Sequence, residues 1–349
     1  MFMCVNLIEW KGVLLDYMKY LKYIGKVIIA GILALILLSV FSYVYSFSGL
    51  HVYNESGATD YKWMPHQYKS NMTEGFSWLR MDANGFNNAS AHMDNDIDIL
   101  LMGGSHMEAV NVAPNENTGY LLNEMLPDKV TYNIGMSGHT IYTCVQNLRD
   151  ALNEYDPSDY VIIETNTIHM DEESVNAVIS DMYPEIPSYD SGWIYAIQKN
   201  MPIVKSLYKQ IDIWRSQGTA GAVNIADIEQ EDNSEPARTL LHEVSSTAND
   251  KTVTPVIIYH PTVSVDEDGS VAVPDADDYR DCFARMCADE GIIFVDMTDD
   301  FVSLYEEQHI LAHGFVNTRA GVGHLNRYGH EAAAKVLADT IMELERNAD

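Results

Sequence analysis

Basic residues are scarce in this chain. Lysine and arginine number 21 against 51 aspartates and glutamates, a formal net charge of −30. Phosphate backbones are bound by clustered Lys and Arg. No such cluster exists beyond the first 26 residues, so nucleic acid is excluded as a partner. The acidity otherwise bears on solubility and not on fold. Cysteine is scarcer still, with Cys4, Cys144, Cys282 and Cys287. These thiols form no C-x-x-C pair, which removes both a disulfide framework and a zinc motif. On one helix Cys282 and Cys287 would point about 140° apart, too divergent to bridge easily. Buried free thiols are expected.

Metal signatures are also lacking. Asp82-x-Asn84-Gly85 opens like a calcium loop, but the bidentate glutamate that closes such a loop is missing. A tight turn is expected there. His309 and His313, at i and i+4, resemble half a zinc pair. No glutamate stands in the motif position and no third ligand is obvious. The expectation is no metal and no cofactor.

One stretch stands apart. Val27 to Tyr45 is 19 residues without a charge, against the roughly 20 apolar residues that span a bilayer. Lys19, Lys22 and Lys26 precede it, and no lysine or arginine follows until Lys62. The positive-inside rule then keeps the N-terminus in the cytoplasm and puts the rest outside. A cleaved signal peptide ending near Ser46-Phe47-Ser48 is the rival. The run is longer than the usual 7–15-residue apolar region of such a peptide, which favours an uncleaved anchor. The expected organisation is a cytoplasmic segment 1–26, a single-pass signal-anchor 27–46, an extracytoplasmic stem 47–95 packing on the domain, and a domain 96–349. Met18 would open a more ordinary signal-anchor than Met1.

From residue 96 short Val/Ile/Leu-rich runs alternate with helical stretches. The runs are 96–103, 129–134, 160–165, 254–260 and 291–297; the helical stretches are 114–126, 140–153, 275–289, 299–309 and 326–346. Near-continuous apolar runs suit parallel strands buried on both faces. The alternation predicts an α/β fold, a three-layer doubly wound and mostly parallel five-stranded sheet. An insertion at about 170–250 interrupts it. That insertion carries a predicted helix near 193–215, kinked at Pro202, and a polar surface loop, "IADIEQEDNSEPAR".

Open α/β sheets bind ligands beyond the carboxyl ends of their strands. The first run ends in Gly103-Gly104-Ser105-His106, the second in "GMSGHT" (135–140) and the third in Thr165-Asn166-Thr167. "GVGHLNRYGH" (321–330) leads into the last helix. A serine, a glycine turn, an asparagine and a histidine are the types acyl transfer needs: nucleophile, oxyanion donors and base. His106 and His139 flank them, with surface loop positions the commoner reading.

With these four blocks in this order, the chain resembles the SGNH (GDSL-like) hydrolase superfamily over about residues 96 to 346. The resemblance implies a flavodoxin-like sheet, Ser105 as nucleophile, Gly138 and Asn166 as oxyanion donors and His324 as base. It departs from the family pattern at Gly104, Glu164 and Thr167. It departs most at Gly321, where the family has the triad aspartate. Three readings stay open: a Ser–His dyad oriented by a main-chain carbonyl or water, an acid relocated to Asp296, Asp299 or Asp300, or lost catalysis. The implied function is a serine esterase acting on acyl esters, acetyl above all, of cell-envelope or exported glycans. The alternatives are an O-acyltransferase on polysaccharide and an impaired carbohydrate-binding or assembly module. Expected partners are the membrane and an acylated carbohydrate or small ester.

Overall fold

A computed structural model describes residues 2–46, 51–53, 59, 61–72, 74–88, 96–180, 234–266 and 268–348. Helix α1 (Phe2–Ser46) is continuous and runs through the lysine flank without a break. Its stretch Tyr17–Ser42, 26 residues at mean hydropathy 2.6, is long and apolar enough to cross a membrane.

Two short antiparallel pairs follow, β1 (His51–Tyr53) with β2 (Tyr61–Trp63) and β3 (Tyr68–Asn71) with β4 (Ser77–Arg80). Next come β5 (Ile99–Met102), α2 (Ser105–Glu108), α3 (Thr118–Met125), β6 (Thr131–Asn133), α4 (Ile141–Tyr155), β7 (Tyr160–Thr165) and α5 (Glu172–Ile179). The chain resumes with α6 (Ser234–Asp250), β8 (Thr254–Tyr259), the small pair β9 (Ser264–Val265) and β10 (Val271–Ala272), α7 (Asp277–Asp289), β11 (Ile293–Asp296), α8 (Thr298–Gln308) and α9 (Arg327–Ala348).

Strands β6-β5-β7-β8-β11 form one sheet in that order. Every neighbouring pair is parallel. Counted along the chain this is the order 2-1-3-4-5 of the flavodoxin-like doubly wound fold, the class expected from the sequence. The sheet divides two apolar layers by strict alternation. Leu100, Val161, Ile163, Ile257 and Tyr259 face one core with α4 to α7. Ile99, Leu101, Ile162, Val256 and Ile258 face the other with α3, α8 and α9. This period of two explains why the strand runs read as unbroken apolar sequence: each side of the sheet has its own helices to bury against.

One expectation changes. The stretch "IADIEQEDNSEPAR" was expected to be a loop, yet Ser234–Arg238 open α6. Serine, glutamate and proline at a helix start are start signals. They precede a stripe of Ala237, Leu240, Leu241, Val244 and Ala248, all buried. The polar first turn concealed an amphipathic helix. The predicted helix near 193–215 lies outside the described residues. Ser105 does not cap α3. It is instead the first residue of α2, and the next helix starts at Thr118.

The stem contributes to the core. Trp63, Leu79, Met81 and Phe86 belong to the same buried cluster as Leu100 and Val161. The Asp82–Gly85 stretch forms a tight turn, with Asp82 Oδ1 accepting the Asn84 and Phe86 N–H groups at 2.8 and 2.9 Å. Its Oδ2 accepts the Tyr132 hydroxyl at 2.7 Å. Phe86 is fully buried, so Phe86→Ala is expected to cost about 3–5 kcal/mol, the range for a large core aromatic. Denaturant unfolding measures it. A cost near zero would make the stem an appendage with no part in the core.

Candidate active site

The site gathers at the carboxyl edge of three neighbouring strands. Ser105 follows β5, the turn bearing Gly138 follows β6, and Asn166 follows β7. Strand β5 lies between the other two. This is the point where successive connections leave the sheet in opposite directions, the usual ligand crevice of such folds.

Ser105 stands at the start of α2 after a two-glycine turn. Its Oγ lies 2.9 Å from His324 Nε2. His324 Nδ1 lies 2.8 Å from Glu74 Oε2. The other carboxylate oxygen, Oε1, accepts the His324 main-chain N–H at 2.8 Å. A nitrogen facing a carboxylate carries the proton, so Nε2 presents its lone pair to the serine. The side chains of His324 and Glu74 are 31% and 23% exposed, open enough for a substrate to reach and shielded enough for the pairing to hold.

Glu74 therefore faces the His324 ring where a triad acid would stand, a carboxylate that none of the three open readings named. It was missed because it lies 250 residues upstream of the histidine, in the loop of the β3–β4 hairpin. No spacing pattern connects the two. Of the three carboxylates considered for a relocated acid, none is hydrogen-bonded to His324 among the described residues. Asp296 is occupied by Arg280 Nη1 at 2.7 Å and by the Thr298 N–H at 2.9 Å. Asp299 and Asp300 lie exposed in the first turn of α8. Gly321, where an aspartate was expected, has φ +74° and faces Leu311, so a side chain there would be strained.

The hairpin loop is held in place from several directions. Asn317 Oδ1 accepts the Gly75 N–H at 2.9 Å, and its Nδ2 donates to the Met72 and Gly75 carbonyls, each at 3.0 Å. Buried Asn111 donates to the Glu74 carbonyl at 3.2 Å, and its Nδ2 lies 3.5 Å from His324 Nδ1. Gly323 leaves room for the carboxylate. Its φ is +94°, and a Cβ there would fall 2.2 Å from Glu74 Oε1.

Two buried carboxylates shape the turns around Ser105. Glu164, near the end of β7, accepts the Gly104 N–H at 2.7 Å and is paired with His260 at 2.5 Å. Glu108, in α2, accepts the Ser137 N–H at 2.9 Å and the Ser137 hydroxyl. It also takes the Trp63 indole N–H and lies 3.4 Å from the buried Lys69 ammonium. Glu108 thus joins the stem to the turn that carries Gly138.

Gly138 is exposed in that turn at φ +93°. The neighbouring His139 carbonyl packs against Gly104. Asn166 is exposed, and its side chain makes no hydrogen bond with the described residues. The structure therefore pairs Ser105 and His324 directly and sets Gly138 and Asn166 on the two flanking strands. His106 and His139 are not surface residues. His139 is buried edge-on to Tyr61. His106 packs against the rings of His324, His260 and His313. His309 and His313 separate: His309 is an exposed helix C-cap, while His313 is buried.

A cavity of about 680 Å³ lined by Asp96, Ile97, Pro157 and Lys251 opens at the opposite, amino edge of the sheet and holds none of these groups. A more apolar cavity of about 630 Å³ shares Asn111 and His313 with the site and is lined by Phe76, Val112, Leu311 and Phe315.

No family model matches the chain, and no curated protein matches it. Solved structures do. A candidate SGNH hydrolase from Slackia heliotrinireducens is 16% identical with a TM-score of 0.41, over 71% of this chain and 100% of that one. The esterase EstA from Pseudoalteromonas sp. is 13% identical with a TM-score of 0.39, over 72% and 100%. The acetyl xylan esterase AlAXEase is 15% identical with a TM-score of 0.39, over 70% and 100%. The roles of the site residues rest on the geometry above and not on these likenesses.

The Nδ1 proton shared between His324 and Glu74 gives a direct readout. Wild-type protein is expected to show a far-downfield proton resonance coupled to His324 Nδ1, lost in Glu74→Gln and in Gly323→Ala. Its persistence in Glu74→Gln would show that another group orients the ring.

Proposed function

We propose that this protein is a membrane-anchored serine hydrolase of SGNH type acting on acyl esters. The observation that carries this reading is the relay from Glu74 through His324 to Ser105, with both hydrogen bonds under 3 Å. Ser105 Oγ attacks the ester carbonyl while His324 Nε2 takes its proton, and Glu74 stabilises the imidazolium that forms. The oxyanion is received by the Ser105 and Gly138 N–H groups and the Asn166 side-chain amide. Protonated His324 then gives its proton to the departing alkoxide. Water, activated by the same ring, releases the acyl group and restores the serine.

The case for lost catalysis rested on the glycine at 321, and Glu74 removes that ground. The acyl group favoured is acetyl and the substrate class is ester-bearing glycan outside the membrane. This follows from the lysine flank before Val27 and from the family resemblance. A sugar hydroxyl in place of water would make the same site an O-acyltransferase; product analysis with and without an acceptor glycan separates the two.

A fluorophosphonate probe is expected to label wild-type protein at Ser105 and to leave Ser105→Ala unlabelled. On activated acetyl esters, Ser105→Ala and His324→Ala should each cut turnover to a small residual rate. Glu74→Gln should lower kcat by about 10⁴, the cost of losing the orienting acid in the serine-protease template. Asn166→Ala should cost ~10²–10³, and Asp299→Asn should change little. An unlabelled wild type, or an unaffected Glu74→Gln, would defeat this reading.

The membrane arrangement is tested separately. Protease added to intact cells or spheroplasts is expected to digest the domain beyond residue 46. Protection until lysis would reverse the orientation.

A further inference from the structure

Next to the Ser105–His324 pair lies a second group of histidines that the proposed reaction does not use. His106 follows the nucleophile in α2, and His260 follows β8. His313 lies in the loop bridged to Leu325, one residue past His324. A ring nitrogen from each of the three falls within 4.8 Å of the others. His260 and His313 are both 1% exposed. Three of their buried ring nitrogens have no hydrogen-bond partner among the described residues: His260 Nδ1, His313 Nδ1 and His313 Nε2. Leaving such atoms unpaired in the interior costs stability, and unpartnered nitrogens on two rings of one close histidine group point to a ligand.

The chemistry of the group is specific. Glu164 Oε1 accepts from His260 Nε2 at 2.5 Å. That hydrogen bond puts the His260 proton on Nε2 and leaves its lone pair on the unpartnered Nδ1. A carboxylate behind an imidazole is the arrangement that orients histidine ligands in metal sites. Burial, reinforced by the neighbouring histidines, pushes His313 down to about 3 and His106 well below the usual histidine range. His106 Nδ1 accepts the Leu325 N–H at 3.2 Å.

We propose that His106, His260 and His313 form a binding site for one divalent transition cation of the zinc class. Three imidazoles with no thiolate suit zinc, copper, nickel or iron and not magnesium or calcium. Zinc–nitrogen bonds of about 2.0–2.1 Å require only that the three rings close in slightly from their present spacing. The cation ties the nucleophile turn, the end of β8 and the segment leading into His324 to one point. It positions Ser105 and His324 and takes no part in the attack. The hydrolase reading and this site fail separately, because the cation touches neither Ser105 nor Glu74.

Full-length protein carrying Ser105→Ala, in detergent, is stripped with a chelator and titrated with cobalt(II). The expected result is the visible absorption of tetrahedral cobalt, saturating at one equivalent and displaced by zinc. The same stoichiometry of zinc, by elemental analysis, should survive dialysis of unstripped wild type. His313→Ala and His260→Ala should each weaken binding more than 100-fold, and Glu164→Gln 10–100-fold, as for outer-shell partners. Exposed His242→Ala should bind as wild type. No absorption and no retained zinc in wild type would overturn the site even if every variant failed to fold. Unchanged binding in folded His313→Ala would overturn it as well.

Discussion

The two-point grip of the Glu74 carboxylate on His324 is the contact on which the site depends. One oxygen holds the ring nitrogen and the other holds the same residue's backbone N–H, so ring orientation and loop position are fixed together. The three members come from separate parts of the chain: a hairpin before the sheet, the first sheet strand, and the loop before the last helix. Such a relay exists only if the hairpin is docked. Asn317 and Asn111 fix its loop, and Trp63, Leu79 and Phe86 bury its base in the same core as the sheet. The stem is thus part of the site as well as the segment that follows the apolar helix α1.

A chain of net charge −30 gains little from placing more carboxylates inside, yet Glu108 and Glu164 are both nearly fully buried. Each spends its oxygens on a turn beside Ser105. Glu164 takes the Gly104 N–H and pairs with His260, while Glu108 takes Ser137 and pairs with Lys69. Breaking one half of a buried pair costs about 3–5 kcal/mol, so these anions hold the turns rigidly. Their return is precision: the turns on either side of Ser105 sit on backbone that has little freedom to move.

The sheet was legible because parallel strands buried on both faces write themselves as apolar runs, and five runs gave five strands. Ser105 and His324 were legible because each lies in a compact motif at a strand end or helix start. Glu74 was not, since a carboxylate in a short hairpin loop carries no periodicity, and its partner is 250 residues away. The glycine at 321 was the one available signal, and it left a dyad, a relocated acid and lost catalysis all open. The buried histidine cluster was hidden for the same reason: His106, His260 and His313 are far apart in sequence and meet only because β5 and β8 belong to one sheet. Helix α6 was lost to a polar first turn that looked like the loop before it.

The central claim is that Glu74 acts through His324 and on nothing else. A double-mutant cycle tests this most directly, with turnover of an activated ester measured for Glu74→Gln, His324→Ala and the two combined. Residues acting as one unit are strongly non-additive. The account predicts that adding Glu74→Gln to His324→Ala lowers the residual rate no further. A combined loss equal to the product of the two single losses would contradict it and separate Glu74 from the relay.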